Sequence, residues 1–370
     1  HETRQLSAAK QAEATTRIRK IVLNQGDDAR ALANLVQLTR NLPTLTTSQL
    51  YLDLADDYLR LGKYNQAANV LQQHITQYPD QPLSAAALVT LMRLYSSSEV
   101  SHTQQSSAGT SDTHQSFLKY ANFFGDQTVH KNSALADDPA LTFQRSVSTR
   151  LTGRAKAAQG RLTQLRHQTD AGIWRTRARA EHWLFGNRQE APPLSVLVCR
   201  HTADRPHLDG ALTDSLWLQD APVQFAYDEE FLYLAVQYDK VAGQLYQADS
   251  RPRTYDADLS KHDHVQFRFD LDRDYATSFD LAVDSRGWTT DRCWLDASWN
   301  PKWFVATGGD ETQWTVEAAI PRTELQGNSR QQAGDAWAIC WRRVLPDAVV
   351  PAPPAEAGAP GEAFQLLVFE

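Results

Sequence analysis

Three carboxylates stand at alternate positions in Asp270, Asp272 and Asp274, at the end of an apolar-polar alternation, and such a run offers the hard oxygen donors that calcium takes. The spacing of a helix-loop-helix calcium loop is not completed, because Tyr275 stands where its glycine belongs. A solvated turn is the competing reading. His262 and His264 form an HxH pair with no third ligand set by spacing, which favours an ordinary surface pair over a metal site. Asp256, Asp258, Asp263 and Glu317 could be combined into a general acid and base, but no spacing selects two of them. No nucleophile motif or phosphate loop appears, so an enzyme is not the expected reading.

Four indoles crowd into residues 287 to 303, at Trp288, Trp294, Trp299 and Trp303. They are candidates for stacking on a ligand, and the alternative is a small core that pins this segment to a sheet. Beside them, His264, Gln266, Arg268 and Asp280 fall on the polar side of two alternating runs. They form a second set of candidate ligand-binding residues. An Arg268 to Asp280 cross-strand pair is expected, worth at most ~1 kcal/mol if exposed.

The elements that must position these residues change character along the 370 residues. Up to about residue 190 the apolar residues recur at helical spacing; beyond about 195 they alternate, and eight of the ten tryptophans lie from Trp217 onward. The chain therefore divides into a helical part, 1–190, a linker, 191–203, and a β part, 204–370. Val265, Phe267, Phe269 and Leu271 alternate with polar residues, as do Phe279, Leu281 and Val283, which predicts a hairpin. Further strands are expected over 231–238, 314–320, 336–343 and 363–370, enough for two packed antiparallel sheets. Residues 351–361, with four prolines, read as a loop before the last strand.

In the helical part, 48–81 predicts two helices around Gly62 and Lys63, with Tyr51, Leu54, Ala55, Tyr58, Ala67 and Leu71 facing inward and Pro79 ending the second. This segment resembles a tetratricopeptide repeat, although His74 occupies a position that usually holds a small residue. One such unit cannot cover its own apolar faces, so helices over 8–41, 83–95, 115–124 and one long helix from 139 to 167 are expected beside it. Residues 101–115 read as a polar loop. The resemblance implies a surface for protein partners, or a spacer for the β part.

Residues 204–370 resemble the family 9 carbohydrate-binding modules and the related DOMON-like sandwiches. The resemblance rests on Leu208, Asp209, Gly210, Asp214 and Trp217, then Tyr227, Asp228, Leu232 and Tyr233, then Asp263 and Val265, then Glu317, Ala318 and Pro321. It implies a jelly-roll-like β-sandwich that holds a glycan or polysaccharide, commonly with a structural calcium. The family's sugar clamp is not carried over: Ser260 stands for its first stacking tryptophan, Gln266 for a gripping glutamate and Asp280 for a gripping arginine. The alternative is a protein interaction scaffold whose sandwich no longer binds sugar. Some related sandwiches hold haem through methionine, but the single methionine, Met92, lies in the helical part.

With 37 basic and 44 acidic residues the formal net charge is −7, so nucleic acid is not an expected partner. Basic residues nevertheless concentrate between Arg145 and Arg188, as a solvated or interdomain helix face or as a polyanion site. Cys199, Cys293 and Cys340 lack zinc spacing and allow one disulfide. No stretch is long and apolar enough to span a membrane. The tryptophan-rich segment is similar to one in large exported proteins of planctomycete-type bacteria, which implies a periplasmic or surface location. No signal-peptide pattern follows His1, so any targeting segment is expected to have been removed or to lie outside this sequence.

Overall fold

A computed structural model describes the chain except for residues 1–7, 25–27, 109–112, 133–134, 187, 189, 218–220, 245, 247–255, 327–331 and 347–362. The loop expected over 351–361 lies outside the described residues. Helices come first: α1 (Ala8–Leu23), α2 (Asp28–Thr39), α3 (Thr44–Arg60), α4 (Tyr64–Gln77), α5 (Ser84–Ser96), α6 (Ser98–Ala108), α7 (Thr113–Lys131), α8 (Pro139–Leu151), α9 (Ala155–His167) and α10 (Ile173–Phe185). Strands follow: β1 (Val196–His201), β2 (Val223–Tyr227), β3 (Phe231–Asp239), β4 (His264–Asp270), β5 (Phe279–Asp284), β6 (Thr289–Cys293), β7 (Phe304–Gly309), β8 (Gln313–Pro321), then α11 (Arg322–Gln326), β9 (Ala336–Val344) and β10 (Gln365–Phe369). The chain thus has a helical region followed by a ten-stranded sheet. No described helix is long and apolar enough to cross a membrane.

The compact units interleave along the chain. One comprises residues 1–96, 114–161 and 295–298; the other comprises 97–113, 162–294 and 299–370. Helix α6 and helix α10 therefore belong with the sheet.

In the helical unit, α4 packs on both α3 and α5, and α5 packs on α8. Tyr51, Leu54, Ala55, Tyr58, Ala67 and Leu71 are all buried, as their spacing requires. Gly62 closes the α3–α4 turn at φ +65°, and Pro79 follows the end of α4. The helix expected from 139 to 167 is two helices, because Gly153 turns the chain at φ +79° between α8 and α9. Asp138 caps α8 by accepting from the Leu141 amide at 2.8 Å, with Pro139 in the first turn. The polar loop expected over 101–115 is mostly helix: α6 runs to Ala108 and α7 starts at Thr113. Its polarity misleads because Val100 and Glu99 at its start are fully buried, and this anchoring outweighs the low helix propensity of the serines and threonines.

His74 is sealed between the rings of Tyr51 and Tyr78, with neither ring nitrogen hydrogen-bonded. Burial lowers its pKa to about 4. An unfolded-state histidine titrates near about 6.5, so the unfolded chain binds the extra proton first. Stability is therefore full above about pH 6.5 and is lost as pH falls toward 4, by at most about 3 kcal/mol. Urea titrations at pH 7.5 and pH 5 are expected to show a larger loss in the native chain than in His74→Leu.

The sheet runs β6-β5-β4-β9-β10-β1-β2-β3-β8-β7 as one hydrogen-bonded series. It is mixed rather than wholly antiparallel: β1 lies parallel to both β10 and β2. That strand falls in the segment read as a linker. The sheet curls on itself, since Phe225 of β2 meets Phe267 and Phe269 of β4 edge to face, four places away in strand order. Val265, Phe267, Phe269, Phe279, Leu281 and Val283 fill this interior. On another part of the sheet, Ala180 of α10 packs with Ala336, Leu366 and Val368.

Glu317 of β8 fixes the start of the β part. Its buried carboxylate accepts from the Trp217 indole at 2.7 Å, the Gly210 amide at 2.7 Å and the Asp209 amide at 3.1 Å. Gly210 has φ +79°, and a Cβ there would stand 2.6 Å from the Gly308 nitrogen. Gly210→Ala is expected to destabilise the protein by more than about 2 kcal/mol in urea denaturation.

Candidate functional site

The strongest concentration of chemistry lies where β4 runs into β5. Asp270 ends β4, Asp272 and Asp274 follow in the connecting loop, and all three are buried. Helix α6 adds Glu99, also fully buried. One oxygen each from Glu99, Asp270 and Asp272 lie within 4.8 Å of one another. Asp274 stands beside them, its Oδ1 accepting from the amides of Ala276 and Thr277 at 2.7 Å each.

The loop is shaped by its own carboxylates. Asp270 accepts from the amides of Asp274 at 3.2 Å and Tyr275 at 2.6 Å, and Asp272 from that of Asp274 at 3.2 Å. Arg273 and Tyr275 both take φ +56°. Tyr275 thus adopts the left-handed conformation for which a calcium loop uses glycine, so the missing glycine does not prevent the turn. Glu99 accepts from the Leu271 amide at 2.6 Å, and its other oxygen accepts from the hydroxyls of Ser97 and Thr277 at 2.9 and 3.2 Å. Asp272 in turn accepts from the Ser98 amide at 2.6 Å, so α6 and the loop grip each other from both sides.

Burial, reinforced by the charges of Asp272 and Asp274, pushes the Glu99 carboxyl well above its ordinary range. The same desolvation, with Asp274, Asp272 and Glu99 nearby, raises Asp270. Buried carboxyls raised in this way, Glu99 and Asp270, resist ionisation without a compensating charge. The donor set is all oxygen, the choice of a hard divalent cation such as calcium, and the residues fit one. Glu99 was not legible beside the aspartates, since the fold brings it from 171 residues before Asp270.

The second candidate set lies on the opposite face of β4 and β5 from the apolar interior. Arg268 pairs with Asp280 at 3.5 Å in direct cross-strand register, as expected from the alternation. Asp280 also meets Arg292 of β6 at 2.8 Å and accepts from Ser278 at 2.6 Å. Gln266 accepts from Arg342 of β9 at 2.8 Å. His264 is buried, with Nδ1 at 2.8 Å from the His262 carbonyl and Nε2 facing Gln266 at 3.1 Å. Desolvation lowers its pKa.

The tryptophans divide. Trp294, Trp299 and Trp303 are buried, with Trp299 stacked 4.3 Å from Phe279. Trp288 stays half-buried, packs against the cluster of Ala257, Leu259 and Ala282 and carries the Arg286 guanidinium 4.2 Å from its ring. Ala282 pairs in register with Gln266, so Trp288 shares the face of Gln266, Arg268 and Asp280. Asp263 and Glu317 are committed to the fold: Asp263 accepts from Trp314 at 2.9 Å and holds Arg343, and Glu317 holds the Trp217 turn. Asp258 is exposed and accepts from the Ser260 amide. None of the three cysteines forms a disulfide, so the bridge their number allowed is not made; Cys199 and Cys293 are buried and Cys340 half-buried. No protein-family model and no curated protein matches this chain.

If the carboxylate cluster takes calcium, adding millimolar calcium to chelator-treated protein is expected to raise Tm by several degrees. Glu99→Gln and Asp270→Asn are expected to abolish the shift in differential scanning fluorimetry. An equal shift in all three proteins would place the ion elsewhere.

Proposed function

We propose that this is a non-catalytic binding protein whose β part recognises a glycan or surface polymer on the outer face of β6, β5, β4 and β9. The reading takes the curled sheet as a family 9 carbohydrate-binding-module-like sandwich with altered contact residues. The observation that carries it is the placement of Trp288 beside a hydrogen-bonding row of Gln266, Arg268, Asp280, Arg292 and Arg342. An indole offers an apolar plate for the C–H face of a pyranose, and guanidinium and carboxylate forks suit its paired hydroxyls. Trp294, Trp299 and Trp303 are buried and so are not offered as stacking residues. In the same reading calcium at Glu99, Asp270 and Asp272, with Asp274 beside them, is structural, stiffening the loop that leads into β5.

The helical unit then serves as an adaptor, with α3 and α4 as one tetratricopeptide-like repeat. It exposes Leu45, Leu61 and Phe123, each more than half accessible, and such side chains suit a protein partner. This is the observation that favours the second reading, a protein scaffold without sugar affinity. Export to the periplasm or cell surface belongs to the first.

A glycan array followed by affinity electrophoresis separates the two. Retention by a glycan that falls about tenfold or more in Trp288→Ala and Arg268→Ala, with circular dichroism unchanged, is the expected result. No retention on any glycan, together with a stable complex formed through the helical unit, would replace the first reading by the second.

A further inference from the structure

The basic run noted in the sequence separates into two parts. Arg145 and Arg161 share the carboxylate of Asp126, at 2.5 and 3.6 Å. Arg166, Arg175, Arg179 and Arg188 instead line a cavity of about 770 Å³ within the sheet unit. Arg175 and Arg179 stand one turn apart on α10 and His182 follows three residues later, so all three share a helix face. Arg166 comes from the last turn of α9, Arg188 from the segment after α10, and Trp183 contributes an aromatic wall.

Glu190 is the one acid among the described lining residues. Four guanidinium groups against it leave an excess of three positive charges. Arg175 and Arg179 are exposed and have no ion-pair or side-chain hydrogen-bond partner among the described residues. Arg188 donates to the Gly334 carbonyl at 2.6 Å and lies 5.6 Å from the Trp183 ring, and Arg166 donates to His167 at 3.1 Å. Trp183 donates to the Glu190 carbonyl oxygen at 2.8 Å, which holds the cavity rim in place.

Guanidinium forks gathered around a concavity without matching carboxylates are an arrangement for oxyanions. We propose that this cavity binds a small oligoanion bearing two or more phosphate or sulfate groups, held by Arg166, Arg175, Arg179 and Arg188. A single oxyanion would engage only part of this set. A long polyanion is disfavoured by the concave site and by the −7 net charge of the whole chain. The proposal does not depend on the glycan face of β4 and β5, which is a separate surface. His182 agrees with a positive potential here: burial and then the Arg166 charge lower its pKa, and Glu190 and His167 oppose each other.

The test uses isothermal titration of the full chain with inositol hexakisphosphate and with sucrose octasulfate, at about 50 mM and about 200 mM salt. Binding of either probe at one site, weakened about tenfold or more by the added salt and by the double variant Arg175→Ala/Arg179→Ala, is expected. Preference for one probe identifies phosphate or sulfate as the natural group. Arg154→Ala, outside the cavity, should bind as the native chain does. The His182 ring signal in NMR should titrate at higher pH with ligand bound, because an anion offsets the charge of Arg166. Failure of both probes to bind below about millimolar, native-like binding by the double variant, or an equal loss in Arg154→Ala would each overturn the proposal.

Discussion

The mutual burial of Glu99, Asp270, Asp272 and Asp274 is the constraint on which the sheet unit turns. Carboxylates cost most where water cannot reach them, and here backbone amides and two hydroxyls satisfy only part of the charge. The cluster fixes the loop between β4 and β5, and with it the register of the strands that carry Arg268 and Asp280. It also holds α6 against that loop through reciprocal bonds, Glu99 to the Leu271 amide and the Ser98 amide to Asp272. A bound divalent ion would turn the repulsion into the strongest tie in this region.

Around that tie the single sheet curls so that distant strands face each other across the core. Inserting β1 in parallel between β10 and β2 joins the two ends of the β part into one series. Its aromatic interior is then shared between strands far apart in order, as Phe225 shows. One surface of β4 and β5 is consumed by this core. The other is left for polar rows and for Trp288, which is why candidate contacts gather there.

Alternation made β4, β5 and their cross-strand pair legible before any coordinates, because a half-buried strand writes its two faces into the sequence. The α3–α4 pair was legible for the same kind of reason, at helical period. Strands β6 and β7 escaped notice since the tryptophans around them read equally well as loop ligands or as core, and burial decided for core at three of the four. The α8–α9 break turned on one glycine in an otherwise helical pattern. Helix α6 and its Glu99 were hidden because a polar stretch gives no periodic signal, and its partner lies 171 residues away. Sequence spacing found the three aspartates but could not supply the fourth carboxylate that completes the set.

Native mass spectrometry of the full chain in calcium-containing buffer tests the central claim most directly. The account predicts a folded chain carrying one calcium ion, which is released on chelation and absent from Glu99→Gln. A folded chain with no calcium adduct at millimolar calcium would contradict it, and Glu99 and Asp270, whose pKa values burial raises, would then hold protons instead.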